Sequence, residues 1–270
     1  MADLNAATAL LLYKVNRENP NPKLKKAADQ TIEYLSKTLY NANIGSFLSF
    51  QQADTSYYYL KKHRREHVEK PLVIKKIFTD NLAVTVNYLL QILDYTANKS
   101  LEDKVRRSLD FLADMILKHE SLFHYYSIPK KEWRARSGLS DYAFLTKLFQ
   151  QASVKYTSER YRQAASKILR ISRREYYDAE KQIFIDRQLD TKDYEYLMEI
   201  NAGFALGLMG ESTNNNGKLE NNVKPLIRYF SGLEELLEER LWDGNNWELL
   251  ERYATFLNSA DGYLSAQTIQ

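Results

Sequence analysis

The chain has 270 residues, 44% of them hydrophobic and 27% charged, which is typical of a globular protein with a substantial core. It contains no cysteine, which excludes disulfides, thiolate metal ligands and cysteine nucleophiles. The net charge of +3 is too small to suggest nucleic-acid binding, and no uncharged apolar run reaches the roughly 18 residues of a membrane span. The opening residues, "MADLN", lack the features of a secretion signal, so we expect a soluble, cytoplasmic protein.

Apolar residues recur at the spacing of an α-helix along most of the chain, and the helices come in pairs. The turns "NPNP" at 19–22, "ANKS" at 97–100 and "KYTSE" at 155–159 separate the members of three pairs. Turns this short join antiparallel helices, so each pair is a helical hairpin. The apolar positions are Leu4, Ala7, Leu11 and Val15 with Leu24, Ala28, Ile32, Leu35 and Leu39; Leu82, Val86, Leu89 and Leu93 with Val105, Leu109, Leu112 and Ile116; and Leu145, Leu148, Phe149 and Ala152 with Tyr161, Ala165, Ile168 and Ile171.

The helical hairpins follow one another at a regular interval. A polar residue opens the first helix of each pair, and successive ones are 76, 60 and 60 residues apart. An aromatic segment follows each second helix, at intervals of 76, 61 and 58 residues, so the first repeat carries an insertion at about 49–70. The opening residues are Asn5, Asn81, Asp141 and Asn201, and the aromatic segments start with Phe47, Phe123, Phe184 and Trp242.

A helical pair cannot bury its apolar face alone, so successive pairs must stack. Stacking can give an open solenoid or a closed ring. Polar, aromatic segments after every second helix favour the ring, which places them all at one end of a central cavity. A last amphipathic segment, 247–257, adds the first helix of a fifth pair. We therefore predict one all-α domain over 1–270, an incomplete (α/α) toroid of about nine helices with short β-hairpins at one end.

Several segments also occur in an order found in a known family. They are "QQADTSYYYL", "IKKIFTDNLA", "FHYY", "LSDYAFL", "SERYRQAASKIL", "FIDR" and "INAGFAL". The series resembles the C-terminal helical region of the thioredoxin-domain family called DUF255, which includes the spermatogenesis-associated thioredoxin-like proteins. The resemblance implies an (α/α) six-hairpin toroid, the fold of many glycosidases and sugar epimerases.

The sequence departs from that family in three respects. The thioredoxin domain and the helices that precede this region in the family are absent. The family's T-D-W-N-A is here "TDNLA" at 79–83, and an expected glycine pair is reduced to Gly45-Ser46. The resemblance therefore implies either half of a split protein or a lineage that has lost the reaction.

Four carboxylates fall in segments that the ring places at the cavity mouth. A pair of them could act as acid and base on a sugar, with their separation deciding the stereochemical outcome. Asp80 and Asp141 also stand at helix starts, where capping of free N–H groups is the competing explanation. Asp54 and Asp186 lie outside the predicted helices. The catalytic candidates are Asp54, Asp80, Asp141 and Asp186.

Amides and aromatic rings near these acids are candidate sugar contacts, because rings pack on the apolar side of a pyranose and amides meet its hydroxyls. We expect the stretch "SFLSFQQADTSYYYL" at 46–60 to line the cavity mouth with Asp54 pointing inward. The alternative is that its tyrosines plug an unclosed ring and Asp54 is a turn residue. The candidate contacts are Gln51, Gln52, Tyr57, Tyr58, His124, Tyr125, Tyr126, Arg187 and Asn201.

Positive charge is concentrated at 61–76, where seven Lys or Arg and two Glu give a net charge of +5. This run is either a solvated loop or, with Arg187, a site for an anionic group that would favour uronic or phosphorylated sugars. His63 and His67 in this run match the zinc motif H-x-x-E-H, but the neighbouring cations would repel a metal ion. We expect no metal and no cofactor.

Two functions are compatible with these features. The first is a domain that binds or processes a carbohydrate or another small polar ligand. The second is a non-catalytic interaction domain that forms a homo-oligomer or pairs with a separate thioredoxin-domain chain, because nine helices leave an apolar edge exposed near 4–15 or 249–257. No nucleic-acid or membrane partner is expected.

Overall fold

A computed structural model describes residues 1–180, 183–185, 200–201 and 204. The chain divides into two compact units, Met1–Ser137 and Gly138–Gln270. No helix among the described residues is both long and apolar enough to cross a bilayer. The helices are α1 (Ala2–Glu18), α2 (Pro22–Tyr34), α3 (Thr55–Tyr59), α4 (Lys62–Arg65), α5 (Thr79–Ile92), α6 (Lys99–Lys118), α7 (Leu139–Lys155) and α8 (Glu159–Tyr176). The strands are β1 (Tyr40–Asn41), β2 (Ser46–Phe47), β3 (Lys76–Phe78), β4 (Phe123–Ser127), β5 (Glu132–Arg136), β6 (Tyr177–Asp178) and β7 (Ile183–Phe184).

The three predicted helical pairs are confirmed as α1 with α2, α5 with α6, and α7 with α8. The turns between them end in residues that cap the second helix. Asn21 accepts a hydrogen bond from Lys23 N at 3.0 Å, and Asn98 accepts one from Leu101 N at 3.0 Å. Ser158 does the same for α8. Each cap satisfies a backbone N–H that has no partner inside its helix.

Most predicted apolar positions of α2 and α5 to α8 face the core, with Leu24 and Leu93 half-buried, whereas those of α1 do not. Every predicted position of α6, α7 and α8 is buried, as are Ala28, Ile32, Leu35 and Leu39 in the first pair. In α1, Leu4, Leu11 and Val15 are 55%, 60% and 43% exposed, so the predicted stripe is not the buried one. The buried face consists instead of Ala2, Ala6, Ala9, Leu10 and Tyr13. Its small side chains allow α2 and α5 to pack closely on α1.

The first helices of the first two pairs start at the same end of unit 1. The buried residue Ser49 joins them, because its carbonyl accepts from Ala2 N at 2.8 Å and its hydroxyl accepts from Phe78 N at 2.8 Å. Ala2 is the first residue of α1, and Phe78 directly precedes α5. The predicted repeat register is thus present in this unit. Asn81 and, in the second unit, Asp141 are both the third residues of their helices.

The predicted aromatic segments form short antiparallel strands. Phe47 lies in the hairpin β1–β2, and Phe184 lies in β6–β7. Phe123 opens β4, the central strand of a three-stranded sheet with the order β3-β4-β5. In this sheet Phe78 pairs with Tyr125, and Tyr125 pairs with Arg134. Trp242 and 247–257 lie outside the described residues.

In the second unit, two residues at the ends of α7 and α8 are in contact. The rings of Tyr142 and Tyr176 are 5.3 Å apart, which places the start of α7 beside the end of α8. Asn201 follows the same repeat and is fully buried. Its side chain accepts from Phe184 N at 2.8 Å and donates to Phe184 O at 2.9 Å, so it anchors strand β7.

Candidate functional site

The insertion after the first hairpin is a closed loop with a paired base. Gln52 N donates to Leu72 O at 2.8 Å, and Ile74 N donates to Phe50 O at 3.1 Å. Gln51 and Val73 form an isolated antiparallel bridge between these two bonds. The base therefore holds the two ends of the insertion together, close to the boundaries that the repeat spacing predicted.

Gln51 fixes this base with its side chain. Its amide nitrogen donates to Pro71 O at 2.6 Å, and its amide oxygen accepts from Tyr34 at 3.1 Å and from Tyr58 at 3.4 Å. The amide that we expected to meet a sugar is thus bonded inside the protein. Gln52, by contrast, is exposed and lines an open pocket of about 340 Å³ together with Asp54, Thr55, Glu69, Lys70 and Leu72.

Asp54 caps the short helix α3. Its carboxylate accepts from Tyr57 N at 3.0 Å and from the hydroxyl of Ser56. The hydrogen bond from Ser56, followed by that from the Tyr57 backbone, lowers the pKa of Asp54, so this group stays ionised. A carboxylate held in this form can accept a proton or orient a hydroxyl group but is a poor proton donor.

Tyr57 and Tyr58 hold the rest of the insertion together around Arg65. Their rings meet edge to face at 5.4 Å, and the guanidinium of Arg65 lies 5.7 Å and 5.9 Å from the two ring centroids. Arg65 also donates to the carbonyls of Leu60 and Tyr58. Packing within the insertion is therefore the visible role of both tyrosines.

Beside the base of the insertion, four rings form what we call the aromatic cluster: Phe50, Phe78, His124 and Tyr125. Phe50 and Phe78 are stacked at 5.7 Å with an interplanar angle of 17°. Phe78 contacts His124 at 5.4 Å and Tyr125 at 5.7 Å. All four side chains are half-buried, so each ring keeps part of its surface open to a ligand.

The structure brings Asp80 to this cluster. A carboxylate oxygen of Asp80 and a ring nitrogen of His124 lie within 4.8 Å of each other, and both residues are half-buried. Asp80 is the second residue of α5, and its carboxylate also accepts from Asn81 N at 2.7 Å. An imidazole can exchange a proton near neutral pH, and a carboxylate beside it can orient it. The two side chains are also of types that bind divalent cations.

The other candidates that the structure describes have partners within their own units. Tyr126 packs against Phe111 and Trp133 at 5.3 Å and 5.2 Å, on the side of the sheet that faces α6. Asp141 is fully buried and accepts from Gly138 N at 2.9 Å, which caps α7. Asn201 anchors β7 as described above. Asp186 and Arg187 lie outside the described residues.

Two members of the cluster, Phe50 and Phe78, were not among the individual contacts predicted from the sequence, although Phe50 lies in the stretch 46–60 that we expected to line the cavity mouth. Phe78 directly precedes Thr79 and the candidate Asp80, so an aromatic residue near a candidate acid was the signal in the sequence that indicates it. The stacking of Phe50 could not be predicted from the stretch itself, because its partner Phe78 is 28 positions further along the chain.

No protein-family model matches this chain, and no curated protein matches it. Solved structures do. Cellobiose 2-epimerase from Spirochaeta thermophila superposes with a TM-score of 0.62 at 12% identity over 84% of this chain. A GH76 α-mannanase from Bacteroides thetaiotaomicron superposes with a TM-score of 0.57 at 13% identity over 84% of this chain. Unsaturated glucuronyl hydrolase from Bacillus sp. GL1 superposes with a TM-score of 0.57 at 11% identity over 82% of this chain.

These neighbours define the fold class. They are six-hairpin (α/α) toroids, so the all-α toroid fold predicted from the helical repeat is confirmed. The chain spans 56% to 59% of the length of those three proteins. At these identities the likeness concerns the fold, and the chemistry must be argued from the residues of this chain.

Proposed function

We propose that this chain binds a carbohydrate or a related polar metabolite at the aromatic cluster, and that Asp80 and His124 act on it by proton transfer. The observation that carries the proposal is the Asp80–His124 pair, within 4.8 Å, beside partly open aromatic rings. Rings of this kind pack on the apolar side of a sugar, and a carboxylate with an imidazole can move a proton at its hydroxyls.

The fold supports the proposal without fixing the reaction. The neighbours named above are an epimerase, a mannanase and a glucuronyl hydrolase, all of which act on sugars. Asp54 remains a further candidate acid at the open pocket of the insertion. We place it second because its hydrogen bonds to Ser56 and Tyr57 already account for its position.

The test is a binding and turnover assay with variants that remove the carboxylate of Asp80 or the imidazole of His124. Asp80→Asn and His124→Gln would be titrated by calorimetry with cellobiose, α-mannobiose and a uronic-acid disaccharide. Asp103→Asn, at an exposed position on α6, is the matched control for the loss of one carboxylate. We expect both site variants to weaken binding of at least one sugar by about tenfold or more, which corresponds to one charge-assisted hydrogen bond, and to abolish any turnover followed by NMR. Unchanged binding in both variants, or no binding of any sugar by the wild type, would contradict the proposal.

A second function rests on the exposed stripe of α1. Leu4, Leu11 and Val15 are separated by seven and four positions and form one apolar stripe on the surface of that helix. Exposed apolar stripes of this kind commonly mark interfaces. We propose as the alternative that the chain is a non-catalytic interaction domain that uses α1 to assemble with a second copy or with a separate thioredoxin-domain chain.

A further inference from the structure

The three-stranded sheet of unit 1 has two chemically different faces. Residues that pair directly across strands share a face, and neighbours along a strand alternate. One face carries Ile77, Tyr126 and Trp133; Ile77 is fully buried, and the two rings pack on Phe111 of α6. The other face, which we call the cationic face, carries Lys76, Phe78, Tyr125 and Arg134. It is continuous with the aromatic cluster through Phe78 and Tyr125.

Two cations flank Tyr125 on this face. The amino group of Lys76 lies 5.0 Å from the centroid of the Tyr125 ring, and Arg134 stands opposite Tyr125 on β5. Hydrogen bonds of Arg134 with Glu132 and then with Tyr125 raise the pKa of its guanidinium. Lys76 is exposed and forms no ion pair with any described residue. Glu132 forms an ion pair with Arg134 at 2.5 Å, so the positive charge left beside the Tyr125 ring is that of Lys76.

We propose that the cationic face binds the carboxylate of an acidic sugar, so that the ligand of the aromatic cluster is a uronate-containing oligosaccharide. This inference rests on the proposed function and adds the substrate class. Phe50, Phe78 and Tyr125 provide successive ring surfaces for the sugar units. Lys76 supplies a mobile charge beside Tyr125 for the carboxylate. Arg134, which is bonded to Glu132 through Nε and Nη2, adds its other N–H groups on the other side of the ring.

The experiment compares trigalacturonate with its methyl ester and with maltotriose. The ester has the same sugar units without the negative charges, and maltotriose is neutral throughout. Calorimetric titrations would use the full chain and the variants Lys76→Gln and Arg134→Gln. Lys130→Gln, in the turn between β4 and β5 of the same sheet, removes an exposed charge outside the face and serves as the control.

We expect the wild type to bind trigalacturonate at least about tenfold more tightly than the ester, and each face variant to lose about that factor. The control variant should retain wild-type affinity, and added salt should weaken the binding of the acid only. Equal affinity for trigalacturonate and its ester, or unchanged affinity in both face variants, would overturn the acidic-sugar inference. Binding of maltotriose in that case would still support the proposed function. Failure of all three ligands would overturn both.

Discussion

The carboxylate of Asp54 accepts hydrogen bonds from Ser56 and Tyr57 and thereby starts α3. These hydrogen bonds make the stability of the folded chain depend on pH, whether or not Asp54 takes part in a reaction. Because the pKa of Asp54 is lowered in the folded chain, its contribution to stability is present above the pKa of an unfolded aspartate, about 3.9, and is lost as the pH falls through the lower folded value.

Replacing Asp54 by Asn separates these roles. Asn caps helices as well as Asp does, so the melting temperature near neutral pH should be nearly unchanged. The variant lacks the titrating group, so below about pH 4 the wild type should lose stability relative to it. Chemical unfolding from about pH 7 to about pH 2.5 measures this difference. Parallel stability curves would contradict the prediction, and loss of sugar binding at unchanged stability would assign Asp54 to the site.

Gly45 is a second residue whose identity is required by its backbone. It adopts φ +76 in the turn between β1 and β2, where its N–H donates to Asn41 O at 2.8 Å. A Cβ at this position would lie 3.1 Å from Nε of Arg107, whose guanidinium also binds Ala42 O at 3.0 Å.

Gly45→Ala should therefore be destabilising by about 1–2 kcal/mol, the cost of the left-handed conformation for a residue with a Cβ. Thermal melts should show a decrease of several degrees. Gly138→Ala gives the comparison at a negative φ, because a Cβ there meets no atom within 4 Å and any loss comes only from the weaker helix capping by alanine. Equal melting temperatures for Gly45→Ala and the wild type would contradict the prediction.

At the scale of elements, the turn between α7 and α8 contains a strained residue. Thr157 has φ 48, and its N–H donates to Val154 O at 3.2 Å as α7 ends. Glycine is the residue usually found in this conformation after a helix, because a branched side chain is crowded there.

Thr157→Gly should stabilise the helical hairpin by about 1 kcal/mol through relief of this crowding. Thr157→Ala keeps the Cβ and should give little of that gain, so the pair of variants isolates the backbone effect. Urea unfolding followed by circular dichroism measures both. A loss of stability in the glycine variant would show that the threonine side chain has a stabilising role of its own.

At the scale of the whole molecule, the chain has the fold of six-hairpin toroids and spans 56% to 59% of the length of three of them. Its α1 helix exposes Leu4, Leu11 and Val15, while the opposite side of the helix packs against α2 and α5 through alanines. Covering this stripe would remove apolar surface from water, which favours association.

We expect the stripe to mediate assembly if the interaction function holds. Leu4→Gln combined with Leu11→Gln should then shift sedimentation toward the monomer, or abolish recovery of a thioredoxin-domain partner added as a separate chain. Leu72→Gln is the control, because Leu72 is 64% exposed and belongs to the insertion rather than to α1. Strictly monomeric sedimentation of the wild type at high concentration, with no binding to such a partner, would contradict this prediction.

The helical pairs and the repeat that sets Asn81 and Asp141 at equivalent positions could be predicted from the sequence. Each helix depends on apolar residues about one helical turn apart, and the repeat is a regular spacing of such helices along the chain, so both can be inferred from the order of residues alone. Capping by Asp141 was likewise predictable as the alternative to catalysis, because the helix start is a local feature.

Which of these residues contact one another depends on how distant segments pack. The sequence indicated Asp80 and His124 separately, but the pairing of β3 with β4 brought them together and added Phe50 and Phe78 to them. The tertiary structure also turned Leu4 and Leu11 of α1 outward and bonded the amide of Gln51 inside the insertion. Helical spacing gives the apolar positions of a helix but does not show which of its sides a neighbouring helix will cover. That depends on contacts between residues far apart in the chain, which local periodicity does not encode.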